Sequence, residues 1–162
     1  MTATLEEPDV TWPTRALVEH IQTQHHETQH RALPQLITLA QRIEAEHAVD
    51  PDAPHGLTQS LCKLSAAFEN HLHNEEPMLS TVQAIGSSAE SKVRLERLRK
   101  DHLGLEAELD RIAATTHGFR LPRHADASCS RLFAEVGQLV EDLDAQIFLE
   151  NKVLFPRFET FP

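Results

Sequence analysis

Hydrophobic residues recur at helical spacing along most of this chain. In the segment of about residues 57–82 the inward positions are Leu57, Leu61, Leu64, Phe68, His71, Glu75 and Leu79. In the segment of about residues 89–115 they are Leu95, Leu98, His102, Leu105, Leu109 and Ile112. In the segment of about residues 126–155 they are Leu132, Val136, Leu139, Leu143, Gln146, Glu150 and Val153. Steps of three and four place side chains on one face of a helix, so the pattern predicts three amphipathic helices.

A fourth helix is predicted at the beginning of the chain, over about residues 14–47, where the apolar pattern is weakest. Pro34 predicts a kink within it, because a proline inside a helix removes a backbone hydrogen bond. Glycine and proline cluster between the four segments and mark the connections. Four helices with short connections predict an all-α fold, an antiparallel up-and-down four-helix bundle over residues 14–158. Residues 1–13 are then an N-terminal extension and residues 159–162 a C-terminal tail.

The composition fits a single globular domain with an acidic surface. The chain has 162 residues and a formal net charge of −10, which disfavours nucleic acid or an anionic membrane as a partner and favours cations. Cys62 and Cys129 form no CxxC pair and suggest neither a disulfide framework nor a cysteine zinc site. No basic start precedes an apolar run, and no stretch of 18 apolar residues occurs. We therefore expect a soluble, cytoplasmic protein.

Polar residues interrupt the inward face of every predicted helix. These residues are His26, His71, Glu75, His102, Gln146 and Glu150. A carboxylate on an apolar face is costly unless it meets a partner or a metal. One core histidine alone is more often a packing residue than a ligand. Polar residues on all four helices at matching depth instead predict a shared metal site.

The two halves of the chain repeat this arrangement. His26 and His102 are 76 residues apart, and the pair His71 and Glu75 returns 75 residues later as Gln146 and Glu150. Two helical hairpins related in this way form a bundle with an internal pseudo-repeat. Imidazole and carboxylate together suit iron, manganese or zinc, and two glutamates from different helices can bridge a pair of ions. Tetrahedral structural zinc fits less well, because it is usually rich in thiolates.

Several motifs make the chain resemble the hemerythrin-like, HHE-type cation-binding domains, and within them the repair-of-iron-centres proteins. The motifs are His26-Glu27-Thr28, Leu33-Pro34-Gln35-Leu36, Glu44-Ala45-Glu46-His47-Ala48, His71-Leu72-His73-Asn74-Glu75-Glu76, Asp101-His102 and Leu149-Glu150-Asn151-Lys152-Val153-Leu154-Phe155-Pro156-Arg157. The resemblance implies non-haem iron as the cofactor, as two irons bridged by carboxylates and an oxo or hydroxo group. It makes His26, His71, His102, Glu75 and Glu150 the ligands, with both glutamates bridging.

Position 146 departs from this pattern. The family pattern and the chain's own repeat both lead us to expect histidine there, but the residue is Gln146. A glutamine oxygen is a weaker iron ligand than an imidazole nitrogen. We therefore expect Gln146 to be a weak ligand or none, and the second iron to be held less tightly. His25, His30 and His73 are candidates to replace the missing imidazole.

The resemblance implies a di-iron protein of the nitrosative and oxidative stress response that assists repair of iron–sulfur clusters, by releasing iron. Its partners would be iron ions, iron–sulfur proteins as clients, and nitric oxide, dioxygen or peroxide as small ligands. Three alternatives stay open: a sensor or carrier that binds dioxygen or nitric oxide, an oxidoreductase that acts on nitric oxide or peroxide, and a bundle with a partly degenerate metal site. No GxSxG motif or phosphate-binding loop supports hydrolase chemistry.

Overall fold

The computed structural model describes residues 7–123 and 125–159, and all the regular structure in those ranges is helical. The elements are α1 (Thr14–His20), a first π-helical turn (Ile21–His26), α2 (Glu27–Glu46), α3 (Leu57–Ile85), α4 (Ala89–Thr115), α5 (Ala127–Leu149), a second π-helical turn (Glu150–Leu154) and α6 (Pro156–Glu159). The first bundle helix consists of α1, the first π-helical turn and α2, which follow one another without a break. The fourth consists of α5 and the second π-helical turn. The predicted all-α four-helix bundle is confirmed.

The four bundle helices form a closed ring around two apolar clusters. The first bundle helix packs against α3 and α5, and α4 packs against α3, α5 and α6. The larger cluster includes Leu61, Phe68 and Leu132, and the smaller one includes Leu17 and Met78. The predicted polar residues His26, His71, Glu75, His102, Gln146 and Glu150 lie near the places where each bundle helix passes from the larger cluster to the smaller one. The core therefore has a polar layer between two apolar ends.

The predicted inward faces of α3 and α4 are buried at every position. The face predicted for the fourth helix is also buried as far as Glu150, but Val153 is only partly buried, and Leu154 takes the core position. The prediction at Val153 was wrong because the π-helical turn begins at Glu150. A π turn contains more residues than an α turn, so it shifts the buried face along the sequence.

The first bundle helix is irregular at a different place from the one predicted. Helix α2 continues through Pro34 without interruption, and the irregularity is the π-helical turn that ends at His26. Ile21 and His26 are successive buried positions five residues apart, whereas within the other described parts of the bundle helices successive buried positions are at most four apart. This step of five explains why the apolar pattern of the first segment was weak.

A side chain from α2 caps the beginning of α3. Glu44 Oε1 accepts a hydrogen bond from the backbone N–H of Gly56 at 2.6 Å, and Glu44 Oε2 accepts one from the backbone N–H of Thr58 at 2.9 Å. The first N–H groups of a helix have no partner within the helix, and a negative charge there is favourable. Gly56 itself has a φ of 91°, in the region that favours glycine. Glu44 therefore links two bundle helices at the end of the molecule that lies away from the polar layer.

We expect the free energy of unfolding of a Glu44→Ala variant to be about 1–2 kcal/mol lower than that of the wild type, which is the usual cost of losing a helix cap. Chemical denaturation followed by circular dichroism measures this change. Glu46→Ala is the matched control, because Glu46 is half exposed and forms an ion pair with Arg42 on its own helix at 3.5 Å. Equal losses of stability in the two variants would contradict the capping role.

Arg157 links the last described segment of the chain to the first through hydrogen bonds. Arg157 Nη1 donates to the backbone oxygen of Trp12 at 2.6 Å and to Thr14 Oγ1 at 3.1 Å.

Both cysteines are free, Cys62 exposed and Cys129 buried. Within residues 7–123 and 125–159, no helix has the length and apolar character needed to cross a membrane. The predicted extension and tail fall partly on residues 1–6 and 160–162, outside the described residues, and that division of the chain stays a prediction.

Candidate metal centre

The six polar residues predicted from the sequence meet in one layer of the bundle. His26 ends the first π-helical turn, His71 and Glu75 lie on α3, His102 on α4, Gln146 on α5, and Glu150 begins the second π-helical turn. All six are buried, and none is more than 2% exposed. Each of the four bundle helices thus supplies at least one polar side chain to the same interior space.

Glu150 lies at the middle of this layer and faces both sides of it. Its Oε1 lies 2.9 Å from His102 Nε2 and 3.4 Å from His71 Nε2. Its Oε2 accepts a hydrogen bond from Gln146 Nε2 at 3.1 Å and lies 3.4 Å from His26 Nε2. We call the group around Oε1 the His71/His102 side and the group around Oε2 the His26/Gln146 side. One carboxylate thus belongs to both sides.

Glu75 has a similar position but few favourable contacts. Its Oε2 lies 2.7 Å from His71 Nε2 and 3.9 Å from His26 Nε2, so this carboxylate also faces histidines of both sides. The short contact with His71 is misaligned, and neither oxygen of Glu75 has a hydrogen-bond partner among the described residues. A fully buried carboxylate without hydrogen bonds is costly unless a cation is bound to it.

The ligating atoms on the His71/His102 side converge closely enough to share one ion. One atom each from His71, Glu75, His102 and Glu150 all lie within 4.8 Å of one another. The Nε2 atoms of His71 and His102 are 3.1 Å apart. Two imidazole nitrogens so close together need a proton or a cation between them, because their lone pairs repel. The donor set of imidazoles and carboxylates fits iron.

The outer nitrogen of His102 is held by Asn151, a residue that the ligand prediction did not include. His102 Nδ1 donates to Asn151 Oδ1 at 2.7 Å, and the ring of Phe155 stacks on His102 with the centroids 5.4 Å apart. A proton fixed on Nδ1 leaves the Nε2 lone pair directed into the layer, which is the usual arrangement for a metal-bound histidine. The sequence signal for Asn151 and Phe155 was the motif that begins at Leu149.

Without a metal, protons occupy this layer. Burial lowers the pKa of His71, but its hydrogen bond to Glu150 and the negative charges of Glu75 and Glu150 outweigh this effect and raise the pKa to about 10. Burial and the nearby charge of Glu150 raise the pKa of Glu75 to about 7. Burial also opposes ionisation of Glu150, yet hydrogen bonds from His102, His26 and His71 hold its pKa well below the usual range. Because metal ligands must be deprotonated, a bound cation would replace such protons.

Both π-helical turns of the described chain lie at this layer. The first ends at His26 and the second begins at Glu150, while His71 and His102 lie within regular α-helix. A π turn directs side chains differently from an α turn, and such turns occur frequently at functional sites. The two turns interrupt the first and fourth bundle helices but not α3 or α4. The repeat relates the first bundle helix to α4 and α3 to the fourth bundle helix, so each π-helical turn corresponds to regular α-helix in the other half. The two halves of the chain are therefore only approximately alike at the polar layer.

The His26/Gln146 side has fewer candidate ligands than the other side. Gln146 donates its amide hydrogen to Glu150, and its own Oε1 has no hydrogen-bond partner among the described residues. Of the three candidate replacements, His25 is partly buried with its ring in edge contact with His20, His30 contacts Glu69 at the surface, and His73 is exposed. None of the three belongs to the group of converging ligand atoms on the His71/His102 side.

Comparison with known proteins gives one family and several named relatives. Residues 17–158 match the family described as the hemerythrin HHE cation binding domain. The chain is 30% identical over 155 residues to a protein of Haemophilus influenzae named "Probable iron-sulfur cluster repair protein", covering 94% of this chain and 70% of that protein. It is 32% identical over 147 residues to the "Iron-sulfur cluster repair protein YtfE" of Escherichia coli. That alignment covers 90% of this chain but 66% of the relative, so the chain spans about two thirds of that protein's length. The matched range includes all six residues of the polar layer.

Proposed function

Because this chain belongs to the hemerythrin HHE cation-binding domain family, we propose that it is a non-haem di-iron protein that assists repair of iron–sulfur clusters by giving up iron under nitrosative or oxidative stress. The names of its relatives in Haemophilus influenzae and Escherichia coli support the repair role. The observation that carries the proposal is Glu150, whose two oxygens face different groups of histidines. A carboxylate in this position suits two cations better than one.

We assign the proposed ligands by the side they face. His71 and His102 would hold one iron, and His26 would hold the other, with Glu75 and Glu150 facing both. Iron in such a site supplies ligand exchange and one-electron chemistry. The protein itself supplies the fixed histidine orientation, the buried negative charge and the exclusion of water by the apolar clusters on either side.

The iron on the His26/Gln146 side is the one proposed to be donated. Gln146 directs its N–H to Glu150 Oε2 and so supports the carboxylate instead of replacing an imidazole. Among the six residues of the polar layer, this side then has one imidazole, that of His26, and the other side has two. An ion with fewer nitrogen ligands is held less strongly and exchanges more easily. This iron would be cargo, whereas the iron on the His71/His102 side would stay.

Transfer of iron to an apo iron–sulfur protein tests this proposal. The iron-loaded protein should restore the absorption of an apo ferredoxin supplied with sulfide, faster than an equal amount of free ferrous iron does. We expect Gln146→His to hold its iron about tenfold more tightly or better, since even the hydrogen-bond partners of metal ligands change affinity by 10–100-fold. The same variant should therefore donate iron more slowly. Iron retained during dialysis against a chelator measures the first effect.

Gln138→His is the matched control for this experiment. It makes the same change on the same helix at an exposed position, where Gln138 only donates to Asp142 at 2.9 Å. This control should hold and donate iron at wild-type rates. Transfer no faster than from free ferrous iron, or two irons of equal and high retention in the wild type, would refute the donor role.

The small number of ligands near Gln146 also favours a second candidate function, reversible binding of dioxygen or nitric oxide. An ion with unfilled coordination positions can accept a small ligand, and the unpartnered Gln146 Oε1 offers a polar atom nearby. Optical spectra of the reduced protein before and after exposure to each gas test this function. Spectra that return to the starting state on gas removal would indicate a sensor or carrier, and sustained turnover with an electron donor would indicate an oxidoreductase.

A further inference from the structure

An open cleft between α2 and α3 leads from the surface to the polar layer. Its volume is about 340 Å³. The residues that line it are His26, Glu27, His30, Glu69, Leu72, His73 and Glu76. Six of the seven are histidines or glutamates, and none is a lysine or an arginine. We call this cleft the vestibule.

His26 forms the wall between the vestibule and the centre. Its Nε2 faces Glu150 Oε2 at 3.4 Å, whereas its Nδ1 lies on the other side of the ring, 4.0 Å from Glu76 Oε1. Nδ1 has no hydrogen-bond partner among the described residues, although His26 is only 2% exposed. A buried imidazole nitrogen without a partner in the protein needs a polar group beside it, such as a water molecule or the water shell of a bound ion.

The rest of the vestibule consists of two facing rows of ligand-type side chains. Glu69, His73 and Glu76 follow one another on α3 at steps of four and three, which places them on one face of the helix. Across the cleft, His30 on α2 contacts Glu69 through its Nδ1. Carboxylate and imidazole groups together bind divalent transition metals, and an acidic cleft concentrates cations from solution.

We propose that the vestibule is a second cation site, where Fe²⁺ pauses on its way between solvent and the His26/Gln146 side of the centre. This inference rests on the proposed function for the direction of iron movement. The site itself rests only on the vestibule residues and on the unpartnered Nδ1 of His26. The vestibule opens behind the imidazole of the more weakly held iron, so the iron proposed as cargo is the one nearest to this route.

A variant that leaves the contacts of His26 intact tests the proposal. Glu69→Gln/His73→Gln removes one carboxylate and one imidazole from exposed positions of the vestibule. We expect iron release from the loaded protein to a ferrous chelator to slow by about tenfold, the lower end of the effect that a charged cleft has on ion entry. The iron content at equilibrium should stay at the wild-type level. Glu96→Gln/His55→Gln is the matched control, since it makes the same two changes at exposed positions elsewhere.

A titration of the iron-loaded protein with Co²⁺ tests the site directly. Paramagnetic broadening of the His30 resonances, which all three proteins share, should appear at low Co²⁺ in the wild type and the control, and only at about tenfold higher Co²⁺ in the vestibule variant. Equal release rates and equal titrations in all three proteins would overturn the proposal. A loss of iron content in the vestibule variant would also overturn it, because the residues would then belong to the centre. If the wild type holds no iron, the proposed function fails, and the same Co²⁺ titration of the metal-free protein still decides whether the vestibule binds a cation.

Discussion

A Glu150→Gln variant is expected to lose most of its iron from both sides of the centre. Glu150 faces His102 at 2.9 Å through one oxygen, and through the other it faces His26 at 3.4 Å and accepts from Gln146. Glutamine keeps the size of the side chain but removes the negative charge that both sides share. We expect the affinity for iron to fall by more than about 100-fold, the upper end of the effect of losing a hydrogen-bond partner of a ligand, because Glu150 itself faces both sides. Metal analysis of the purified variant measures the loss.

Glu141→Gln is the control for this variant. Glu141 is exposed on α5 and its substitution removes the same charge without touching the polar layer. Circular dichroism should show the same helix content in the wild type and both variants, so that loss of iron is not confused with unfolding. If Glu150→Gln retained wild-type iron on both sides, Glu150 would not be the shared ligand.

Removal of iron from the wild type is expected to lower its stability strongly. A ligand that binds only the folded state at a thousandfold its dissociation constant stabilises that state by about 4 kcal/mol. For a chain of this size, each kcal/mol changes the melting temperature by about 2–4 °C, so we expect a decrease of about 10 °C. The buried Glu75 carboxylate adds a reason, since without a cation neither of its oxygens has a hydrogen-bond partner among the described residues. Differential scanning calorimetry before and after reduction and chelation measures the change.

The Glu150→Gln variant is the internal control for iron removal. Because it should contain little iron, the same chelation treatment should leave its melting temperature nearly unchanged. Readdition of Fe²⁺ should restore the melting temperature of the wild type but not that of the variant. A wild type that melts at the same temperature with and without iron would show that the polar layer does not need the metal for stability.

The bundle and the members of its polar layer could be predicted from the sequence because both depend on local spacing. Leu61, Phe68 and His71 are inward because steps of three and four place them on one helix face, and packing only had to bury that face. The assignment of Glu75 to the layer followed in the same way. The structure adds that Glu75 lies between histidines of both sides, although its role as an iron ligand stays a prediction.

What the sequence did not reveal depends on departures from regular helix and on contacts between distant residues. The π-helical turn after Leu149 changes which residues are inward, so Val153 and Leu154 exchange roles. Glu44 lies in a motif that supported the resemblance, but its capping of α3 requires the fold to bring the two helices together. The role of Asn151 could not be predicted for the same reason, because its hydrogen bond to His102 forms only when the two helices pack together.

The division of the interior into two apolar clusters has a consequence for how this sequence can change over time. Leu61 and Leu132 at one end and Leu17 and Met78 at the other belong to separate apolar clusters on opposite sides of the polar layer. Effects of mutations that share no partners are close to additive. Substitutions at one end should therefore change stability independently of substitutions at the other end. A substitution in the polar layer should affect the packing of both clusters.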